Sequence, residues 1–128
     1  MKEKFELKER FNVSASIIYY AWLNSNEHTK MTGGEAICST EVGGEFTAWD
    51  EYIHGTNKSL ILNKEIIQHW RTAEFSENDE DSELIIRLED LDEGCELTLI
   101  HQNIPEGQSQ YKQGWVDHYF IPMKSYFN

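Results

Sequence analysis

Cysteine is scarce in this sequence of 128 residues: Cys38 and Cys95 are the only two. They stand in no metal-ligand spacing, so neither a disulfide framework nor a cysteine-built metal site can be read from them. Long apolar runs are also missing. No stretch approaches the ~20 residues needed to span a bilayer, and Met1-Lys2-Glu3-Lys4 is not followed by the apolar segment of a secretory signal. A soluble, cytoplasmic protein with reduced thiols is expected. Basic residues are few, 11 against 23 acidic ones, for a net charge of −12. A field of that sign argues against nucleic acid or an anionic membrane as partner, and the charge is read as solubility.

Several chemistries are missing as well. There is no Gly-x-Ser-x-Gly elbow, and neither cysteine has a catalytic setting; Cys95 reads as a small buried hydrophobe. The histidines His28, His54, His69, His101 and His118 form no His-x-x-x-His pair and no Cys–His cluster. The acidic stretches at Glu80-Asp81 and Asp90 to Glu93 lack the alternating oxygen ligands and glycine of a calcium loop. No metal and no cofactor is expected.

What the chain does have is aromatic bulk: six Tyr, six Phe and four Trp, enough to fill a core or line a cavity. The length is that of one domain over residues 1–128, without repeats or linkers. Such a domain buries roughly two-thirds of its unfolded surface.

Phe5, Leu7 and Phe11 alternate with charged residues and predict a strand over 3–12. Ser14 is an N-cap for a helix over 15–24, with Ile17, Tyr20, Ala21 and Asn24 at helical spacing and Ile18 and Trp22 flanking them. A second short helix runs from Glu27 to Met31. A short strand is expected over Glu35 to Thr40, around Ile37. The glycine pair Gly43-Gly44 then leads into a strand over 44–53, a turn at His54-Gly55-Thr56-Asn57, a strand over 58–64 and a continuation to Glu74. Residues 76–83 form a solvated turn. Leu84, Ile86 and Leu88 mark the next strand, and Asp90 to Gly94 a hairpin loop. Cys95, Leu97, Leu99 and His101 then share one side of the last strand. From Gln108 the period is helical through Tyr111, Trp115, His118 or Tyr119, and Tyr126, with a kink expected near Pro122. Strand, two helices, about six strands and a long helix make an α+β domain whose curved antiparallel sheet carries the terminal helix.

Val42-Gly43-Gly44-Glu45-Phe46, Lys64-Glu65 leading to His69-Trp70, Glu96 to His101, and Gly114-Trp115 together resemble the activator of heat-shock protein 90 ATPase homologue-like family, of the START-like (SRPBCC, birch-pollen-allergen-like) superfamily. The resemblance covers essentially the whole chain. It implies a helix-grip fold: a six- or seven-stranded antiparallel sheet wrapped around the C-terminal helix, two short helices after strand 1, and often a hydrophobic cavity between helix and sheet. In the eukaryotic activators this domain follows a separate N-terminal domain, and the two stimulate the chaperone ATPase. Here the first strand opens the sequence.

Three functions follow as expectations. The first is a non-enzymatic module binding a small hydrophobic or amphipathic ligand, with Phe46, Ala48, Trp70, Ile86, Leu88, Leu97, Leu99, His101, Tyr111, Trp115, His118 and Tyr119 as cavity wall. The second is a chaperone-binding module using the acidic surface. The third is a cyclase-like enzyme in which His101, kept neutral by burial, exchanges a proton beside a tyrosine; its bland counterpart is a hydrogen-bonded core histidine. A monomer or weak dimer is expected, the latter through an exposed edge strand such as the one around Ile37.

Overall fold

The computed structural model describes residues 1–128. Strand β1 (Glu3–Phe11) leads to helices α1 (Ala15–Leu23) and α2 (Ser25–Thr32). Strands β2 (Glu45–Ala48), β3 (Ile53–Ile61), β4 (Glu65–Thr72), β5 (Ser82–Asp90) and β6 (Cys95–Ile104) follow. They form one antiparallel sheet of six strands in the order β1-β6-β5-β4-β3-β2. The terminal helix comprises α3 (Tyr111–Trp115), a π-helical turn (Val116–Phe120) and α4 (Ile121–Tyr126).

One face of the sheet is the core. Ile66, Gln68, Trp70 and Thr72 on β4 are buried, as are Leu84, Ile86 and Leu88 on β5 and Cys95, Leu97, Leu99 and His101 on β6. The inward parity expected for β5 and β6 holds. Helix α1 packs against β5 and β6. Ser14 occupies the cap position with an extended backbone, but its side chain makes no cap bond. The Asp90 carboxylate accepts the Ala15 N–H instead, at 2.8 Å, so the helix start is closed from the end of β5. The buried face of α1 is also rotated from the expected one. Ile18, Ala21 and Trp22 are buried, whereas Ile17 and Tyr20 are 47% and 61% exposed.

The sheet departs from expectation at two places. The strand predicted over Glu35 to Thr40 is reduced to one bridge, Ile37 with Thr47. The neighbouring N–H groups are diverted to helix α2: Ala36 donates to Thr29 Oγ1 at 3.0 Å and Cys38 to Ser25 Oγ at 2.8 Å. Side-chain acceptors here replace a strand partner. The turn predicted at His54 to Asn57 lies instead at Trp49 to Tyr52, and β3 runs straight through Gly55. Glycine and asparagine suggested a turn, yet neither serves one. A Cβ on Gly55 would sit 1.8 Å from the His69 carbonyl oxygen, so glycine is there for a close strand approach. Asn57 uses its amide to hold the preceding loop, donating to the carbonyls of Ser39 at 2.9 Å and Glu41 at 3.0 Å.

The helix predicted from Gln108 begins at Tyr111. Near Pro122 the structure shows a change of hydrogen-bond register: the Ile121 N–H reaches the Val116 carbonyl, five residues back. Proline has no N–H to continue the α-helical ladder, and the wide turn ends at Phe120, two residues before it.

Candidate functional site: an aromatic cavity between sheet and terminal helix

Tyr111, Gly114, Trp115, His118 and Tyr119 lie at i, i+3, i+4, i+7 and i+8, a single helix stripe. They face Trp70 on β4 together with Trp49, Tyr52 and Ile53 at the β2–β3 turn. Between them is a cavity of about 280 Å³. Trp70 meets Tyr111 edge-on at 5.1 Å and Trp115 at 5.6 Å between ring centroids, and Trp115 meets Tyr119 at 4.7 Å. These spacings are those of packed aromatic pairs. Gly114 keeps the space open: a Cβ there would have no neighbour within 4 Å.

The wall hydroxyls are engaged inside the protein. Tyr111 donates to Gln108 at 2.6 Å and lies 2.7 Å from the Thr72 hydroxyl. Tyr52 donates to the Glu74 carboxylate. Tyr119 lies 2.7 Å from His28 Nε2, while His28 Nδ1 lies 2.8 Å from the Trp22 carbonyl. A carbonyl only accepts, so Nδ1 carries the proton and Nε2 accepts from Tyr119. Burial lowers the His28 pKa to about 4, and it raises that of Tyr119. The pair is therefore neutral and hydrogen-bonded.

His101 has the same character. The Trp115 indole donates to its Nδ1 at 3.0 Å. The proton is thereby placed on Nε2, which donates to Ser82 Oγ at 2.8 Å, and Ser82 donates to the Trp70 carbonyl at 2.6 Å. Burial lowers the His101 pKa to about 3. Both nitrogens are occupied within the core.

Of the residues expected to form the wall, Trp70, Tyr111, Trp115, His118 and Tyr119 border the cavity. Phe46, Ala48, Ile86, Leu88, Leu97, Leu99 and His101 do not; all are buried, and the first six belong to one continuous core cluster with Ala15, Ile18, Ala21 and Trp22 of α1. The space over β5 and β6 is filled by α1, and the opening is displaced toward the β2–β3 turn. His101 does not face the opening either: the rings of Trp70, Tyr111 and Trp115 pack against it, and both its nitrogens are bonded inside the core. Trp49, Tyr52, Ile53 and Gly114 were not anticipated. The helical period points to Gly114, but nothing local marks Trp49 or Tyr52, because their turn is built from three successive non-glycine residues with positive φ: Trp49 (49°), Asp50 (57°) and Glu51 (74°). The turn is held in tertiary fashion, with Asp50 and Glu35 exchanging hydrogen bonds at 3.1 and 3.2 Å.

An antiparallel sheet with one face carrying a C-terminal helix, two short helices after the first strand and an aromatic cavity define a START-like helix-grip protein. Residues 12–128 match the family described as Activator of Hsp90 ATPase homolog 1-like protein, and the chain belongs to that family. It is 27% identical over 111 residues to an activator of 90 kDa heat shock protein ATPase homolog of Dictyostelium discoideum, covering 86% of this chain and 29% of that protein. It is 26% identical over 125 residues to activator of 90 kDa heat shock protein ATPase homolog 1 of Homo sapiens, covering 97% and 37%. The chain thus spans about a third of the length of these curated relatives. Among solved structures, an HSP90 activator from Plasmodium falciparum superposes with a TM-score of 0.88 at 23% identity, covering 96% and 94% of the two chains. The Aha1 dimer from Colwellia psychrerythraea gives 0.82 at 15% identity, covering 98% and 96%.

Proposed function

We propose that this chain is a single START-like domain that holds a small hydrophobic or amphipathic molecule, without chemical turnover, in the cavity between β4, the β2–β3 turn and the terminal helix. The observation that supports it most is the roughly 280 Å³ of space lined almost wholly by aromatic side chains. Ligand sites are concave, mostly apolar and few per protein, and a much smaller apolar cavity, of about 150 Å³, already takes a benzene ring. The occupancy of both His101 nitrogens speaks for binding over proton transfer. The test is a titration with naphthalene followed by NMR. Saturable shifts at Trp70, Tyr111, Trp115 and Tyr119 are expected, and Gly114→Leu, which fills the space, abolishes them. Absence of saturable shifts in the parent chain rejects the proposal.

A second reading, contact with a chaperone, is favoured by the names of the curated relatives. The domain would then bind a heat-shock protein 90 through its surface, as a monomer or weak dimer in the cytoplasm. Adding it to such a chaperone's ATPase assay tests this: unchanged turnover and no co-purification remove the reading.

A further inference from the structure

Tyr52 is both wall and surface: it lines the cavity and is 37% exposed. Its hydroxyl donates to Glu74 Oε2. No other wall side chain is bonded to a charged group. Tyr111 meets Gln108 and Thr72, Tyr119 meets the neutral His28, and Trp115 meets the neutral His101.

Glu74 is fixed between two wall tyrosines. Its backbone N–H donates to Thr72 Oγ1 at 3.1 Å, and its carbonyl accepts from Gln108 Nε2 at 3.2 Å. Thr72 Oγ1 and Gln108 Oε1 are the two groups that hold the Tyr111 hydroxyl. Tyr52, Glu74, Gln108, Tyr111 and Thr72 thus close a ring of hydrogen bonds beside the cavity. The carboxylate is no farther from the cavity than the length of the Tyr52 ring and one hydrogen bond.

Charge at this point is unbalanced. Glu74 takes part in no ion pair, and its Oε1 receives no donor from the chain. Arg71, which lies over the neighbouring Phe75 ring, is committed to Asp81 at 2.7 Å and to the carbonyls of Ser76 and Asp79. Lys112 is exposed on the helix beside Tyr111. Burial raises the pKa of the Tyr52 and Tyr111 hydroxyls, and the Glu74 charge raises both further. Unpaired carboxylates are ordinary on a surface of net charge −12. This one is locked onto a cavity wall and keeps an oxygen free.

We propose that the cavity takes an aromatic amine: a ring packs among Trp70, Tyr111, Trp115 and Tyr119, and a protonated amino group on a short arm reaches past Tyr52 to Glu74. This rests on the ligand-binding reading and names the ligand's head group. The ring follows from the volume, about twice that of a cavity filled by benzene. The amine follows from Glu74, since an ammonium has only donors and the free oxygen only accepts. A few placed polar groups beside an apolar pocket are what orient a ligand. An anionic head meets the same carboxylate and is repelled.

The experiment titrates the chain with 2-phenylethylamine, 2-phenylethanol and 3-phenylpropanoate, followed by NMR with the glutamate side-chain carboxyl carbons labelled. The amine is expected to bind roughly fivefold more tightly than the alcohol, and the carboxylate more weakly than either. The Glu74 carboxyl resonance should move with the amine and stay in place with the alcohol. Glu74→Gln should remove the preference while the alcohol still binds, and Glu77→Gln, a nearby exposed carboxylate bonded to no wall residue, should keep it. Equal binding of amine and alcohol, or a preference that survives Glu74→Gln, overturns the head-group assignment and leaves the cavity reading standing. Binding of none of the three overturns both. The Glu74 resonance in the parent chain decides the matter even where Glu74→Gln fails to fold.

Discussion

The Trp115 indole and His101 Nδ1 meet at 3.0 Å in the core, and their bond sets the histidine's tautomer. With Nδ1 accepting, Nε2 must donate, and it does so to Ser82. The chain of donors continues to the Trp70 carbonyl, linking the terminal helix to β6, β5 and β4. His101 thereby fastens the helix to the sheet at the back of the cavity. Removing it leaves the Trp115 N–H unpaired and an imidazole-sized void. His101→Ala is expected to lower unfolding free energy by roughly 3 kcal/mol, and Trp115→Phe by roughly 1–2 kcal/mol. A double-mutant cycle measured by urea unfolding checks the coupling: the two losses should fall well short of additive.

His28 and His101 also set a pH dependence. Both are held neutral, with pKa values of about 4 and about 3 against 6.5 for the free side chain. Below pH 6.5 the unfolded chain takes up protons that the folded chain refuses. Their stabilising effect is therefore complete above about pH 6.5 and is lost as the pH falls, toward about 4 for His28 and about 3 for His101, at about 1.4 kcal/mol per pH unit for each histidine once the unfolded form is charged. Urea midpoints between pH 7 and 5 check the slope, and the His28 and His101 ring resonances should stay in their neutral positions throughout.

A buried polar chain of a different kind ties the glycine-pair loop to the fold. Trp22 donates to Gln68 at 3.4 Å, Gln68 to Asn57 at 2.9 Å, and Asn57 to the carbonyls of Ser39 and Glu41. Asn57→Ala orphans three of these groups at once. A loss of roughly 2–3 kcal/mol is expected, with amide exchange accelerating in residues 39–44 before the rest of the sheet.

Gly55 and Gly114 should respond to alanine in opposite directions. At Gly55 the added methyl meets a backbone carbonyl that cannot swing aside, and a loss of roughly 2–4 kcal/mol is expected. At Gly114 it meets open space inside a helix, where alanine is better than glycine by roughly 1 kcal/mol. Thermal unfolding should therefore fall for Gly55→Ala and rise for Gly114→Ala, the latter with weaker binding of any cavity ligand. A glycine that lowers helix stability and yet borders the cavity is an expected kind of trade between stability and function.

Much of the architecture could be read from residue order alone. Period-two alternation at Leu84 to Leu88 and Cys95 to His101 marks β5, β6 and their inward faces, because a strand with one buried side must alternate. The switch to a helical period after Gln108 marks the terminal helix, although its start slipped to Tyr111. Those two signals, with the glycine pair and the scattered family residues, suffice for a START-like α+β fold. The wall residues on the terminal helix were legible for the same reason, since a stripe at i, i+4 and i+8 has to face the sheet.

Other features depend on groups far apart in the chain. Thr29 and Ser25 capture the N–H groups that a strand at Glu35 to Thr40 would have used, so the sheet stops at six strands. Asp50 and Glu35 together stabilise a left-handed turn that no glycine announces, and this carries Trp49 and Tyr52 to the cavity. Helix α1 fills the space over β5 and β6, which turns Ile86, Leu88, Leu97 and Leu99 from expected wall into core. Local alternation and capping are properties of neighbouring residues and are written into their order. Where the interior remains empty depends on which distant side chains reach it first, and only the folded chain decides that.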